Sequence, residues 1–280
     1  MNDALTQVVV WLNAAANALG YLLYPIAWLP GWLSATLVGV LSGIGLLAVF
    51  KYTSNQRAIK NVRRDMRASR LSAKLFEGGA GAAFRSLFGV LWGALRLLLL
   101  AIVPILVMII PVTLLFGQLA LWYQARPLRV GEETTITVKL RAASESTLPP
   151  AKLEASDAIE DLTGAVRVFK NGVVCWTVVP RKEGNHVLRF QIDGRTVEKQ
   201  VAIGRGFMPV SLRRPAWDWS DALLHPREQA FPAEAVVESI DIEYPDRSGF
   251  SCGTNTWLWY WFIVSLIAGF AFKGVLRTNL

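Results

Sequence analysis

The sequence predicts an α+β membrane protein: three transmembrane helices, a cytoplasmic helical hairpin and a small periplasmic antiparallel β-sandwich. Three observations predict it. Long uncharged apolar runs recur along the chain, a dense basic cluster follows the first of them, and beyond residue 127 the hydrophobic period changes from helical to alternating. Of the 280 residues, 53% are hydrophobic and 18% charged, against roughly 25% charged in soluble domains. Mean hydropathy is +0.36.

Residues 1–30 come first. Leu5, Val8, Leu12, Ala15, Leu19 and Leu22 recur at three- and four-residue steps, interrupted by Gln7, Asn13 and Asn17, and Pro25 and Pro30 end the pattern. This reads as an amphipathic helix lying at the outer interface; a fourth span, which would put the amino terminus inside, is the rival. A basic n-region is absent, so no cleavable signal peptide is expected. Residues 31–51 form the first span. The run from Gly31 to Phe50 carries no charge and is long enough to cross a bilayer. Within it Gly39 and Gly43 make a G-x-x-x-G, the spacing that lets a second helix approach closely.

Residues 52–95 read as a basic helical hairpin. From Phe50 to Phe76 there are eight basic residues (Lys51, Arg57, Lys60, Arg63, Arg64, Arg67, Arg70 and Lys74) and one acid, Asp65. Ile59, Val62, Met66, Ser69, Ala73 and Phe76 fall in 3-4 steps, a short coiled-coil-like seam. Gly78–Gly81 is a turn signal, and the chain returns as a helix that runs on into the second span, residues 96–122. Pro104 and Pro111 lie inside that span. Arg96 stands at its start between two apolar stretches. It either snorkels to the headgroups or faces a polar groove between helices, which Gln118, Ser42 and Asn13 would help line.

Residues 127–204 carry alternating runs (TTITVKLRA, AVRVFKNGVVCWTVVP, NHVLRFQI, RTVEKQVAIG) separated by Asn-Gly, Glu-Gly and Asp-Gly. These are short strands and tight turns, immunoglobulin-like in the loose sense. Residues 205–255 read as an extended Pro-rich return segment with one strand candidate, SIDIEYP. Residues 256–276 form the third span, entered through an aromatic anchor of Trp257, Trp259, Tyr260 and Trp261.

Charge sets the orientation. The formal net charge is +8 and the pI about 9.7. Residues 51–85 hold nine basic and two acidic residues, whereas residues 122–255 hold 17 and 18. Basic residues beside spans stay in the cytoplasm, so the hairpin lies inside and both the amino terminus and residues 122–255 lie outside. The tail with Lys273 and Arg277 lies inside, as its charges also require. The expected location is therefore a bacterial inner membrane. On the outer side, Cys175 and Cys252 either pair or stay as thiols, with Cys175 in an apolar strand.

Several function classes are disfavoured. The basic stretch lacks aromatics for base stacking and no recognition fold accompanies it. Gly249–Gly253 (GFSCG) matches G-x-S-x-G, but no histidine follows Ser251 and an aromatic anchor begins at Trp257. His186 and His225 have no partners at metal-ligand spacing, and phosphate-binding and dinucleotide fingerprints are lacking. No enzymatic activity and no cofactor are expected. The expected partners are anionic lipid headgroups, with a ribosome or nascent membrane protein at the basic hairpin. An envelope protein at the outer domain is the partner of the alternative reading, a membrane-anchored structural scaffold.

The order of elements, with the hairpin KYTSNQRAIKNVRRDMRASRL, resembles the three-span branch of the YidC/Oxa membrane-insertase superfamily, which includes the third subunit of the endoplasmic reticulum membrane complex. The resemblance covers roughly residues 30–122 and 256–280. The chain is also similar to a group of uncharacterised bacterial membrane proteins carrying a YTSNQ-x-AI segment, here Tyr52–Ile59. The resemblance implies an insertase-like or chaperone-like role in membrane-protein biogenesis. It implies a thinned membrane and a hydrophilic groove open to the cytoplasm, with no covalent chemistry. Insertases often place a positive residue in the groove from the first core span. This first span has none, and Arg96 would take that place from the second.

Overall fold

The computed structural model describes residues 2–75, 80–141 and 148–276. The seam residue Phe76, the Gly78 and Gly79 half of the expected turn and the tail residue Arg277 lie outside them, whereas Ala80 and Gly81 open a helix. The chain is α+β with antiparallel sheets, and it divides into two compact units: residues 1–35 with 113–260, and residues 36–112 with 261–280.

Six helices are described. They are α1 (Asn2–Gly20), α2 (Gly31–Thr53), α3 (Gln56–Leu75), α4 (Ala80–Tyr123), α5 (Trp219–Leu224) and α6 (Thr256–Phe272), with a 3-10 stretch Tyr21–Trp28 after α1. Two of them, α2 and α4, are long and apolar enough to cross a membrane. In α4 only 6% of the most apolar stretch is buried, so it is not the core helix of a soluble protein, which hides such a face. The 44 residues of α4 continue through Pro104 and Pro111 and span about 66 Å at 1.5 Å per residue. The helix α6 is apolar but has 17 residues, ending at Phe272 rather than at 276; Lys273 to Leu276 form turns.

The corner between α2 and α3 explains the YTSN sequence. Thr53 Oγ1 donates to the Val49 carbonyl at 2.8 Å, ending α2. Asn55 then caps α3: its Oδ1 accepts from the Ala58 amide at 3.0 Å while its carbonyl accepts from Ile59.

Among its described residues the first unit holds nine strands in two antiparallel sheets. One sheet runs β3 (Ile159–Asp161), β5 (Val173–Pro180), β1 (Thr134–Leu140), β9 (Val237–Ile242), β8 (Arg213–Arg214), with β4 (Val166–Val168) also on β5. The other runs β2 (Ala151–Leu153), β6 (Gly184–Ile192), β7 (Arg195–Ile203). The hairpin β6–β7 is closed by Asp193-Gly194, whose φ values of 52° and 71° are both positive. That is the two-residue turn whose twist matches the strands, and it needs residues tolerant of φ above zero. Alternation then sends Ile136, Val138, Trp176, Phe190, Ile192 and Val201 into one core shared by both sheets. The rings of Trp176 and Phe190 meet edge to face at 5.4 Å, and each such fully buried side chain contributes roughly 1.5–3 kcal/mol.

Two sequence expectations are corrected in this unit. The return segment is not merely laid on the domain. Its strand β9 pairs with β1 (Thr137 opposite Asp241) and with β8, so it is an interior strand and the sheet extends past residue 204. Nor does α1 turn its polar side to water. Thr6, Asn13 and Ala16 are buried, whereas Leu5, Val8 and Trp11 are exposed. Asn13 Nδ2 donates to the Ala222 carbonyl at 2.6 Å. Asn17 Nδ2 donates to the Pro226 carbonyl at 2.7 Å, and its Oδ1 accepts from Gln118 Nε2 at 2.6 Å. The carbonyls at the end of α5 draw the amides inward, because a buried acceptor must be paired.

Candidate functional site

In the second unit glycines decide which helices meet. A Cβ on Gly39 would come within 2.8 Å of Val264 Cγ1, and one on Gly43 within 2.4 Å of the Ser265 carbonyl oxygen. Helix α6 therefore lies against α2 backbone to backbone. Backbone contacts set the direction: a Cβ on Gly39 would lie 3.9 Å from the Trp261 carbonyl oxygen and one on Gly43 2.4 Å from that of Ser265, so four residues on α2 match four on α6 and the two helices run the same way. Trp261 Nε1 donates to Ser42 Oγ at 2.7 Å across this seam.

A second G-x-x-x-G, Gly89 and Gly93 on α4, seats α3. A Cβ on Gly93 would meet Met66 Cγ at 2.3 Å and one on Gly89 would meet Ser69 Oγ at 3.0 Å. Rising number on α3 matches falling number on α4, so these two helices are antiparallel. Ile59 and Val62 are buried on the same face of α3. The apolar seam thus points inward, while Arg57, Lys60, Arg64 and Arg67 are exposed and Arg63 is half-buried. Arg70 and Lys74 lie on α3 by backbone. At the end of α2 the Lys51 ammonium sits 5.7 Å from the Tyr52 ring centre.

Between α3 and α4 is a cavity of about 510 Å³, lined by Ala58, Asn61, Val62, Arg64, Asp65, Arg96, Leu99 and Leu100. The α3 wall carries the Arg64 guanidinium, the Asp65 carboxylate and the Asn61 amide; the α4 wall carries Arg96 beside Leu99 and Leu100. Arg96 itself is exposed and makes no ion pair with Asp65 among the described residues. The recess is amphipathic and open.

The four residues expected to line a common groove are not gathered within either unit; Asn13 is in the first unit, bonded to the Ala222 carbonyl. Arg96 lines the α3–α4 recess, Ser42 is bonded to Trp261, and Gln118 belongs to the first unit, where it is buried and bonded to Asn17. The aromatic anchor is likewise divided. Trp257 and Trp261, one helical turn apart, are buried at 5% and 7%, whereas Trp259 is 68% exposed. Spacing of four puts the first two on the face turned into the protein, so they do not serve as lipid-facing anchors.

The remaining candidates are local. His186 Nε2 bonds backbone carbonyls of its own turn, and His225 Nδ1 contacts Asp221 at 3.1 Å. Ser251 is buried beside Cys252, its Oγ 3.7 Å from the sulfur. Both cysteines are thiols, Cys252 buried and Cys175 half-buried.

Sequence reasoning missed a buried ion pair. Lys199 is fully buried, and its Nζ lies 2.5 Å from Glu228 Oε1 and donates to the Ser211 carbonyl at 2.7 Å. Loss of water around the ammonium lowers its pKa, and Glu228 opposes that shift. The signal was present in β7, where Val197, Lys199, Val201 and Ile203 share one face. Comparison of the chain with family models, with curated proteins and with solved structures finds no match.

Proposed function

We propose that the chain is a three-span inner-membrane protein of the insertase-like or chaperone-like kind, with a cytoplasmic basic hairpin, an outer immunoglobulin-like sandwich and no covalent chemistry. The observation that carries this reading is the α3–α4 recess. It sets Arg96, Arg64 and Asp65 beside bare leucines on a helix whose apolar length is almost wholly exposed. An incoming hydrophobic segment with a polar flank would rest its flank there and its body along α4.

Other features agree. The first and third apolar helices run in the same direction, as three-span threading requires. At 17 residues α6 covers about 26 Å, less than the roughly 30 Å of an average hydrocarbon core, which favours a locally thinned bilayer. The inverted amphipathicity of α1, with Trp11 69% exposed, suits a helix whose outer surface meets lipid. A scaffold reading has its own support: β4 is exposed along its whole length and is followed by Phe169, which is 44% exposed. That apolar edge would accept an envelope protein.

Depleting the protein and following insertion of small membrane proteins tests the proposal. Loss of insertion, repeated on replacing Arg96→Ala or on changing Arg63, Arg64 and Arg67 to Glu, is expected. Normal insertion throughout would leave the scaffold. Orientation is tested separately by cysteine labelling; residues 51–85 reachable from the periplasm would overturn it.

A further inference from the structure

We propose that the first unit carries a binding pocket for a phosphate-type anion, formed by Arg126, Arg129, Arg205 and Arg247 around Gly204 and Gly206. These residues line a cavity of about 450 Å³ without a carboxylate in its wall. Three chain segments far apart in sequence bring the arginines together, and backbone bonds fix them there. Arg126 N–H donates to the Pro245 carbonyl and Arg247 N–H to the Gln124 carbonyl, each at 3.0 Å, while Gly204 N–H donates to Leu128 at 2.8 Å.

The charges are not balanced within the pocket. Glu132 engages Arg126 with both oxygens, at 2.6 and 2.8 Å. Arg129, Arg205 and Arg247 have no ion pair among the described residues. Arg247 is the decisive member. Its guanidinium lies over the Phe207 ring, 4.6 Å from the centre, and its Nε and Nη2 are buried without a hydrogen-bond partner. Buried donors on a charged group are normally paired, because leaving them bare costs several kcal/mol. Here burial lowers the Arg247 pKa, Cys252 and Tyr123 oppose that shift, and the neighbouring Arg126 guanidinium adds to it. An anion with several oxygens removes both penalties at once. The planar fork of arginine matches phosphate oxygens in pairs.

The position selects the source. Arg126 follows the end of α4 by three residues, and Arg247 precedes the start of α6 by nine. If these helices enter lipid as proposed above, the pocket stands at the headgroup plane. The phosphate of a lipid headgroup and free phosphate share the chemistry, and the experiment separates them.

The full chain is purified into nanodiscs of phosphatidylcholine, and its thermal shift is measured with inorganic phosphate against chloride at equal ionic strength. The measurement is repeated without phosphate in nanodiscs containing phosphatidylglycerol. Stabilisation in at least one arm is expected. Stabilisation by phosphate alone identifies a soluble anion, and stabilisation by phosphatidylglycerol alone identifies the headgroup. In whichever arm responds, Arg247→Gln is expected to weaken the half-saturating concentration about ten-fold or more, as loss of charge-assisted bonds does. Arg205→Gln, an exposed position that leaves the fold intact, is expected to weaken it less. The hairpin variant Lys60→Gln with Arg64→Gln is expected to keep the response. No stabilisation of the wild type in either arm overturns the proposal. So does an Arg205→Gln protein that responds like wild type, or a response abolished by the hairpin variant and kept by the arginine ones.

Discussion

Replacing Glu228 by Gln tests the buried pair that ties the return segment to β7. In the folded protein Lys199 has no exposed surface and Glu228 is 6% exposed in its side chain. Glutamine keeps the size and loses the charge, so the ammonium stays buried without its counter-ion. Removing one partner of such a pair typically costs about 3–5 kcal/mol. The Ser211 carbonyl at 2.7 Å, Ser211 Oγ at 3.2 Å and the Gln200 carbonyl at 3.3 Å still accept from Nζ. These place the expected loss near the lower end, about 3 kcal/mol or a factor of roughly 150 in the folding equilibrium. The sign with pH follows from the depressed Lys199 pKa. The unfolded chain binds the proton more tightly than the native one, so stability is lower when lysine is charged and rises as pH climbs from the folded value towards 10.5. Glu228→Gln should therefore regain part of its loss between pH 7 and pH 10. The double change Lys199→Met with Glu228→Gln should restore most of it. Pulse proteolysis in urea, on the full chain in detergent, reads all three. An Glu228→Gln protein within 0.5 kcal/mol of wild type, or one further destabilised by raising the pH, would refute the reasoning.

Three further outcomes are expected. Gly43→Ala meets the Ser265 backbone at 2.4 Å and Gly89→Ala only the Ser69 hydroxyl at 3.0 Å, so thermal melting in detergent should show about 1–3 kcal/mol lost at Gly43 and clearly less at Gly89. Glu132 has its pKa pulled to about 2, first by the Arg126 hydrogen bonds against the effect of burial; its contribution is complete above the usual carboxylate range and is lost as pH falls from about 4.5 towards 2, so melting curves of wild type and Glu132→Gln should converge in that window. Asn17→Leu strands the Pro226 carbonyl and the Gln118 amide, at roughly 1–3 kcal/mol for each group left unpaired, and limited proteolysis should then cut between α1 and α2 faster than in wild type.

Much of the backbone was legible in the sequence because it follows from local period and turn chemistry. The uncharged run of α2, the 3-4 seam of α3 and the Asp-Gly hairpin each carry their own signal over a few residues. What escaped depends on partners remote in the chain. Lys199 occupies an inward position of a strand whose neighbours are valines, and only Glu228 makes that tolerable. Asn13 and Asn17 look like the wet side of a surface helix until the free carbonyls after α5 are known. Trp257 and Trp261 pass for interfacial anchors unless their spacing of four is read as one face. Gly89 and Gly93 have the same spacing as Gly39 and Gly43, but their use rests on Met66 and Ser69 arriving from another helix. The arginine pocket was invisible because its members come from three segments.

The pairing of β1 with β9 also sets a schedule for biogenesis. Roughly a hundred residues separate Thr137 from its neighbour Asp241, and at ~5–20 residues per second the ribosome needs about 5–20 s to make them. For that interval the growing chain has β1 with one side unfilled, an adhesive ribbon in a crowded compartment. The last strand arrives only as the final apolar helix begins to emerge, so closure of the sheet and release of that helix from the ribosome fall almost together in time.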